Sequence, residues 1–418
     1  MNNKIYLCID LKSFYASVEC VERGLDPFKI NLVVADPTRG GGAITLAATP
    51  AIKKLGVPSR GRIYEIPKNI EYIIAPPRMT LYMQYSATIY SIFLKFISSE
   101  DIHVYSIDES FLDITTYMSL YNTTPKQLAK MITDEIYDQT GITATVGIGT
   151  NLFLAKVALD ITAKHAKDCM GYLDEDLFKQ LIWHHQPITD IWMIGPGTAN
   201  RLTMLGIKDL YGVAHYNEKI LYKLFGINAE YLIDHAWGRE PTEISDIKAY
   251  KPSSNSISNS QILFEDYNYK DAYLIMKEMV ESNVLQLTEK HLVTNHISLY
   301  VGYSKNCIKP SRGSRKITNT TNSYRILLEE FKLLYKKIIN PNYPIRQIGI
   351  SFGNVKDEIY EQFDLFADHE DIEKEKRVQE ALVHIRNKYG KNAVLKGMNF
   401  YEKATQRKRN GLVGGHNA

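Results

Sequence analysis

A chain of 418 residues has room for two to four domains, and its 44% apolar and 23% charged residues are those of an ordinary globular protein. No apolar run is long enough to span a bilayer, the opening MNNK leads straight into a short strand rather than a secretory leader, and a cytoplasmic location is expected. Four scattered cysteines, Cys8, Cys20, Cys169 and Cys307, with no C-x-x-C pair, argue against a disulfide framework or a zinc site. The net charge of +3 hides an uneven distribution. Residues 251–356 hold fifteen Lys or Arg against eight Asp or Glu, a basic block suited to a polyanion, whereas 357–418 balance at eleven of each.

In chain order, residues 5–9 (IYLCI) read as a short buried strand ending on Asp10. Ser13 can cap a helix whose apolar face holds Phe14, Val18 and Val21, and Tyr15 sits on its first turn, one step off that face. Residues 21–77 interrupt the pattern. They hold a Gly-rich turn at 39–42 without P-loop spacing, a short helix over 46–56 bearing Lys53 and Lys54, and then Arg60-Gly61-Arg62. Amphipathic helices follow over 82–97 and 125–139, then a strand over 142–149 and a helix over 152–164 that carries Lys156 and Lys164. Both lysines could reach an acidic site and neutralise a triphosphate; alternatively Lys164 pairs with Asp160 four residues earlier.

Residues 104–114 (VYSIDESFLDI) read as two short strands meeting at Asp108-Glu109. Adjacent side chains on a straight strand point to opposite faces, so this pair can approach one ion only where the chain bends. If the 5–9 strand lies beside the hairpin, Asp10 joins them, and three carboxylates a few ångströms apart require cations to stay ionised. All-oxygen ligands favour Mg²⁺ or Mn²⁺, and two such ions roughly 3.5–4 Å apart serve in-line phosphoryl transfer.

Asp10 followed by Phe14-Tyr15-Ala16-Ser17-Val18-Glu19, together with SIDES at 106–110, resembles the Y-family of translesion DNA polymerases, in particular its UmuC-like branch of Gram-positive bacteria. The resemblance runs through nearly the whole chain. It implies a multidomain α+β right hand with a ferredoxin-like palm (1–20 and 78–168), small fingers (21–77), a helix-hairpin-helix thumb (169–240), a linker (241–256), an α+β little finger (257–356), and a clamp-binding motif with a tail (357–418). It also implies that Asp10, Asp108, Glu109 and the backbone carbonyl of Leu11 hold two Mg²⁺ ions, with Mn²⁺ an alternative. Phe14 and Tyr15 would face the nucleotide, Tyr15 as the steric gate against a ribose 2′-OH, and Lys53 and Lys164 would meet the triphosphate. Three features depart from the pattern: Lys12 stands where many relatives carry a second Asp, Pro50 where several carry a tyrosine, and Lys156 and Lys164 are spaced one residue wider than in some.

Downstream, Ile194-Gly195-Pro196-Gly197 between two short helices has the pattern of a helix-hairpin-helix, with Ile194, Gly195 and Gly197 offering backbone N–H groups to a DNA phosphate. Residues 239–259 read as an exposed linker. The basic block reads as strands over 257–264, 296–303 and 345–352 with helices over 270–290 and 324–339, and as a flexible cationic hairpin carrying Lys305, Lys309, Arg312, Arg315 and Lys316. Gln362, Leu365 and Phe366, in QFDLF, resemble a sliding-clamp-binding peptide; a short core segment is the alternative. Residues 371–389 read as a surface helix, and 391–418 as largely disordered.

The expectation is a template-directed, low-fidelity DNA polymerase of DNA repair and the SOS response. It would join dNTPs to a primer by two-metal catalysis on primer-template DNA, aided by a sliding clamp and SOS accessory subunits. Two other readings stay open: a nucleotide cyclase or similar two-metal phosphoryl transferase, and a non-catalytic DNA-binding accessory.

Overall fold

The computed structural model describes residues 4–305, 307–359 and 369–418, in two compact units: one up to Tyr250 with 416–418, the other Lys251–Gly415. Gln362, Leu365 and Phe366 lie outside the described residues.

The first unit opens with β1 (Tyr6–Leu11) and α1 (Phe14–Val21). A small sheet follows in the order β3-β2-β4, from β2 (Leu32–Val34), β3 (Ala47–Ala48) and β4 (Ile73–Ala75), with α2 (Pro50–Lys53) after β3. The helix expected over 46–56 shrinks to four residues because 47–48 are extended and Pro50, whose φ suits a first helical position, starts the turn. Next come α3 (Met79–Phe93), β5 (Ile102–Val104), β6 (Glu109–Asp113), α4 (Tyr117–Tyr121), α5 (Pro125–Thr140) and β7 (Ala144–Gly149). Helix α5 shows its limits in the sequence: Thr124 and Gln127 form a capping box, Pro125 occupies the first turn, and Gly141 at φ 67° ends it.

Helix α6 (Leu152–Val157) is shorter than expected. It passes into a π-helical turn at Ala158–Thr162 and a 3₁₀ turn at Ala163–His165. Behind it β8 (Met170–Leu173) completes a five-stranded sheet in the order β5-β6-β1-β7-β8. A Cβ placed on Gly147 would lie 2.0 Å from the Ala155 carbonyl oxygen, and one on Gly171 2.0 Å from Thr162 Oγ1. The helix and its π turn therefore rest directly on strand backbone, a seat that no other residue type permits.

Helices α7 (Glu175–Leu181), α8 (Pro196–Met204), α9 (Leu210–Ala214), α10 (Glu218–Phe225) and α11 (Asn228–Ala236) share a core that includes Phe178, Leu202, Leu221 and Ala229. The stretch read as an exposed linker contains α12 (Ile244–Ala249), whose Ile244 is buried with Tyr6, Cys8 and Leu152.

The second unit contains β9 (Asn255–Tyr267), α13 (Tyr269–Glu289), β10 (Leu292–Tyr303), β11 (Ser311–Thr321), α14 (Tyr324–Ile338) and β12 (Ile345–Asp357). Its antiparallel sheet runs β11-β10-β12-β9, and α13 and α14 contribute Met276, Met279, Leu327 and Phe331 to its core. The supposed flexible hairpin is largely the edge strand β11, ordered by pairing with β10. The end of the chain is also ordered. After α15 (His369–Tyr389), the wholly buried Glu278 carboxylate accepts hydrogen bonds from Thr405 N (2.8 Å), Gln406 N (3.2 Å) and Asn399 Nδ2 (2.9 Å), anchoring α16 (Gln406–Arg409).

Candidate active site

The acidic pair and Asp10 meet because β1 and β6 are antiparallel neighbours with Asp10 opposite Glu109. Opposed residues share a face, so Asp10 and Glu109 project from the side of the sheet that carries Tyr6, Cys8 and Phe111. Leu11 N donates to the Asp108 carbonyl at 2.9 Å, closing the strand end. A turn before β6 aims Asp108: Tyr105 N and Ser106 N both donate to the Glu109 carbonyl at 3.0 Å, and Ser106 Oγ donates to Asp108 Oδ1 at 2.7 Å.

Burial, reinforced by the charges of Asp108 and Glu109, pushes the Asp10 carboxyl up to about 7, with Lys164 and Lys156 opposing the rise. The local excess of negative charge is therefore only partly neutralised by the protein. Glu109 Oε1 accepts from Lys156 Nζ at 2.8 Å and from Cys8 Sγ at 3.2 Å. Asp160 bridges the two lysines, to Lys156 at 3.0 Å and to Lys164 at 3.0 Å. The local pairing of Lys164 is thus present, and Lys156 is committed to Glu109.

Among the described residues no group of three acidic, His or Cys side chains is placed to hold a metal ion by itself. The donor chemistry nevertheless suits hard divalent cations: Asp10, Asp108 and Glu109 offer only oxygen atoms near one end of the sheet. Mg²⁺ typically takes only one or two protein carboxylates and completes its shell with waters and substrate phosphates, so an open half-shell suits it.

A family model described as "impB/mucB/samB family" matches residues 9–160, and one described as "impB/mucB/samB family C-terminal domain" matches 254–365. The "Putative UV-damage repair protein UvrX" of Bacillus subtilis (strain 168) is 32% identical over 99% of this chain and 97% of its own length. This chain belongs to the Y-family of DNA polymerases, in its UmuC-like branch. Bacillus subtilis "DNA polymerase IV 2" is 28% identical, covering 100% of this Y-family chain and 99% of that one. A solved Y-family DNA polymerase chimera shares the fold at a TM-score of 0.65 and 23% identity, covering 84% of this chain and 99% of that one.

Around the carboxylates of this Y-family chain, Tyr15 stacks on Tyr82 with ring centroids 4.5 Å apart, and burial and then Asp108 raise its hydroxyl pKa. Phe14 is buried, its ring 5.7 Å from that of Tyr15. Ser13 does not cap α1 with its side chain: it is left-handed at φ 52°, and its hydroxyl instead accepts from Lys53 Nζ at 2.8 Å. Burial lowers the Lys53 pKa while Asp10 opposes that shift.

Sequence reasoning missed the brace behind Tyr15. Glu19, buried on α1, accepts from Arg78 Nε and Nη2 at 2.9 Å each and from the Tyr82 hydroxyl at 2.7 Å. Its trace in the sequence is an acid closing an otherwise apolar helical turn. The Cys8 contact to Glu109 left no such trace.

Gly195 and Pro196 begin α8, and Ile194 is buried beneath them. In the second unit Lys305 and Lys309 are exposed in the connection before β11. On β11 a Cβ at Gly313 would meet Leu334 and Ile338 of α14, and Ile317 is buried, so Arg315 between them faces the helices and pairs with Glu330 at 2.5 Å. Arg312 and Lys316 occupy the opposite face, Arg312 lying 5.8 Å from the Tyr300 ring centroid.

Proposed function

We propose that this Y-family DNA polymerase extends a primer at the Asp10, Asp108 and Glu109 end of its five-stranded sheet. The chain is a template-directed DNA polymerase of the translesion type, so its substrates are primer-template DNA and dNTPs. The supporting observation is the register of Asp10 with Glu109 beside Asp108, where burial and then the charges of Asp108 and Glu109 raise the Asp10 carboxyl to about 7.

The primer 3′-OH gives up its proton to solvent, its oxygen bonds to the α-phosphorus of the dNTP, the bond to the bridging oxygen breaks, and pyrophosphate leaves with the electron pair. Two divalent cations, held by Asp10, Asp108, Glu109 and the Leu11 carbonyl, would favour ionisation of the 3′-OH and neutralise the developing charge. Lys156, ion-paired to Glu109, fixes that carboxylate. Lys53 and Lys164 face the triphosphate, Lys164 exchanging Asp160 for a phosphate oxygen. Tyr15, backed by Phe14 and Tyr82, fills the space a ribose 2′-OH would need.

The backbone N–H groups around Ile194, Gly195 and Gly197 hold a DNA phosphate, and Lys305, Lys309, Arg312, Arg315 and Lys316 supply the cationic grip of the little finger. Gln362, Leu365 and Phe366 engage a sliding clamp, SOS accessory subunits assist, and the protein works in the cytoplasm.

Primer extension with Mg²⁺ on damaged and undamaged templates tests this reading. Asp108→Ala should lower incorporation by on the order of a thousandfold, since the carboxylate site carries several kcal/mol of transition-state stabilisation. Incorporation that survives this substitution, or that persists in chelator, would overturn it.

A further inference from the structure

Residues 391–409 lie beyond both stretches that the family models match. They hold six Lys or Arg and one acid, Glu402. This segment is pinned along β9, the outer strand of the second sheet. Glu278 fixes its backbone at Thr405 and Gln406, Gln261 Nε2 donates to Thr405 Oγ1 at 3.2 Å, and Arg409 donates to Asn259 Oδ1 at 2.7 Å.

Three of its cations are used internally: Arg409 in that bond, Lys396 over the Tyr324 ring at 3.4 Å, and Lys403 with Glu265 at 2.5 Å. Arg407 and Lys408 are exposed and meet rings instead. Arg407 lies 5.2 Å from the Phe400 centroid, and Lys408 lies 4.1 Å from that of Phe264. The rings remain open to solvent, with Phe400 61% exposed, Tyr401 65% and Phe264 44%. Three large rings held in water beside two cations that meet no carboxylate among the described residues make a mixed aromatic and cationic surface of the kind that marks an interaction site. Protein–protein interfaces enrich aromatics and Arg but deplete Lys, whereas single-stranded nucleic acid takes all three: bases stack on rings and guanidinium planes, and phosphates take the charges.

We propose that Phe264, Phe400, Tyr401, Arg407 and Lys408 form an additional grip for single-stranded nucleic acid, supplied by the C-terminal segment and β9. The proposal rests on the polymerase reading only for the source of the strand, an unpaired template.

The test is fluorescence anisotropy of a labelled thymidine oligonucleotide and a labelled blunt duplex with the full chain. Paired Phe400→Ala/Tyr401→Ala should weaken oligonucleotide binding by about tenfold, the size of one lost base stack, and leave the duplex unaffected. Paired Arg407→Ala/Lys408→Ala should lower the slope of log affinity against log salt by about 1.4 for two lost phosphate contacts on a single strand. Unchanged oligonucleotide affinity in both variants overturns the proposal, as does an aromatic-pair loss equal on duplex and single strand. Melting curves establish that the variants are folded. Primer extension by the unaltered chain is scored separately, so an inactive polymerase and an absent grip give different results.

Discussion

The molecule's two large sheets carry charge in opposite ways. At the end of β1 in the first unit, three carboxylates and the lysines around them are packed so closely that burial and neighbouring charge lift Asp10 to about 7. On β11 in the second unit the cations are strung along an edge strand, Arg312 and Lys316 on one face and Arg315 on the other. Close, half-buried charges interact in a low effective dielectric and can be tuned for chemistry; charges spread along a wet surface are screened and suit a grip that tolerates any sequence. Substitutions at the first site should therefore have large, specific effects, and those at the second small, salt-dependent ones.

After the loss expected of Asp108→Ala, the largest effect is on sugar selection. Tyr15→Ala removes the ring stacked on Tyr82 and should raise ribonucleotide incorporation relative to deoxynucleotide by about a hundredfold, the scale on which a pocket discriminates one extra group. Competition between rNTP and dNTP in primer extension measures it. Equal discrimination by parent and variant would remove Tyr15 from the nucleotide site.

Next is the glycine seat that brings Lys156 and Lys164 to the carboxylates. At Gly147→Ala the new methyl would lie 2.0 Å from the Ala155 carbonyl oxygen and 2.3 Å from Leu159 N, and backbone atoms cannot step aside as a side-chain tip can. Denaturant unfolding should show a loss of about 1–3 kcal/mol, the usual range for overpacking. Gly195→Ala, where a Cβ meets nothing within 4 Å, is the control and should change stability little.

These two regions also show how much the amino-acid order could reveal. The acid pair, the strand ending on Asp10 and the body of α5 were legible because each is local: adjacent carboxylates, an apolar run, an amphipathic period. The π turn was not, because 152–164 has helical periodicity throughout, and the glycines that seat it are on other strands. Ser13 reads as a cap by residue type, but its hydroxyl is taken by Lys53, forty positions away. The order of residues 391–409 depends on a buried carboxylate at Glu278, and a polar, glycine-containing tail gives no hint of that partner. The edge strand β11 lacks apolar alternation because its helix-facing positions 313 and 315 are Gly and Arg, which is why it looked like a flexible hairpin.

A smaller effect concerns pH. Asp10 is held above the ordinary carboxylate value, so its ionisation opposes folding: its favourable contribution is complete below about pH 4 and is lost as pH rises through about 7. Asp10→Asn cannot ionise. In chelator, the variant should melt above the parent at pH 8, and the gap should close by pH 5. Each kcal/mol corresponds to about 2–4 °C. Mg²⁺ should raise the parent's melting temperature at pH 8 more than the variant's. A parent that melts as high as the variant at pH 8 without metal would mean that the carboxylate end is less crowded with charge than its packing implies.

The smallest effects should come from the edge strand, where the comparison between faces is sharpest. Arg312→Ala and Lys316→Ala each remove one cation from the face opposite the helices, so each should lower the salt slope of duplex binding by about 1 while leaving sequence preference unchanged. Arg315→Ala removes a guanidinium already paired with Glu330 on the helix side, so its effect on DNA affinity should be weaker than either. Glu330 is only 22% exposed, so losing its partner should also cost stability, by about 1 kcal/mol. If all three variants lose affinity equally, Arg315 must leave Glu330 when DNA binds. The grip would then draw on both faces of β11, and the division between a wet face for DNA and a helix-covered face for the core would fail at this strand.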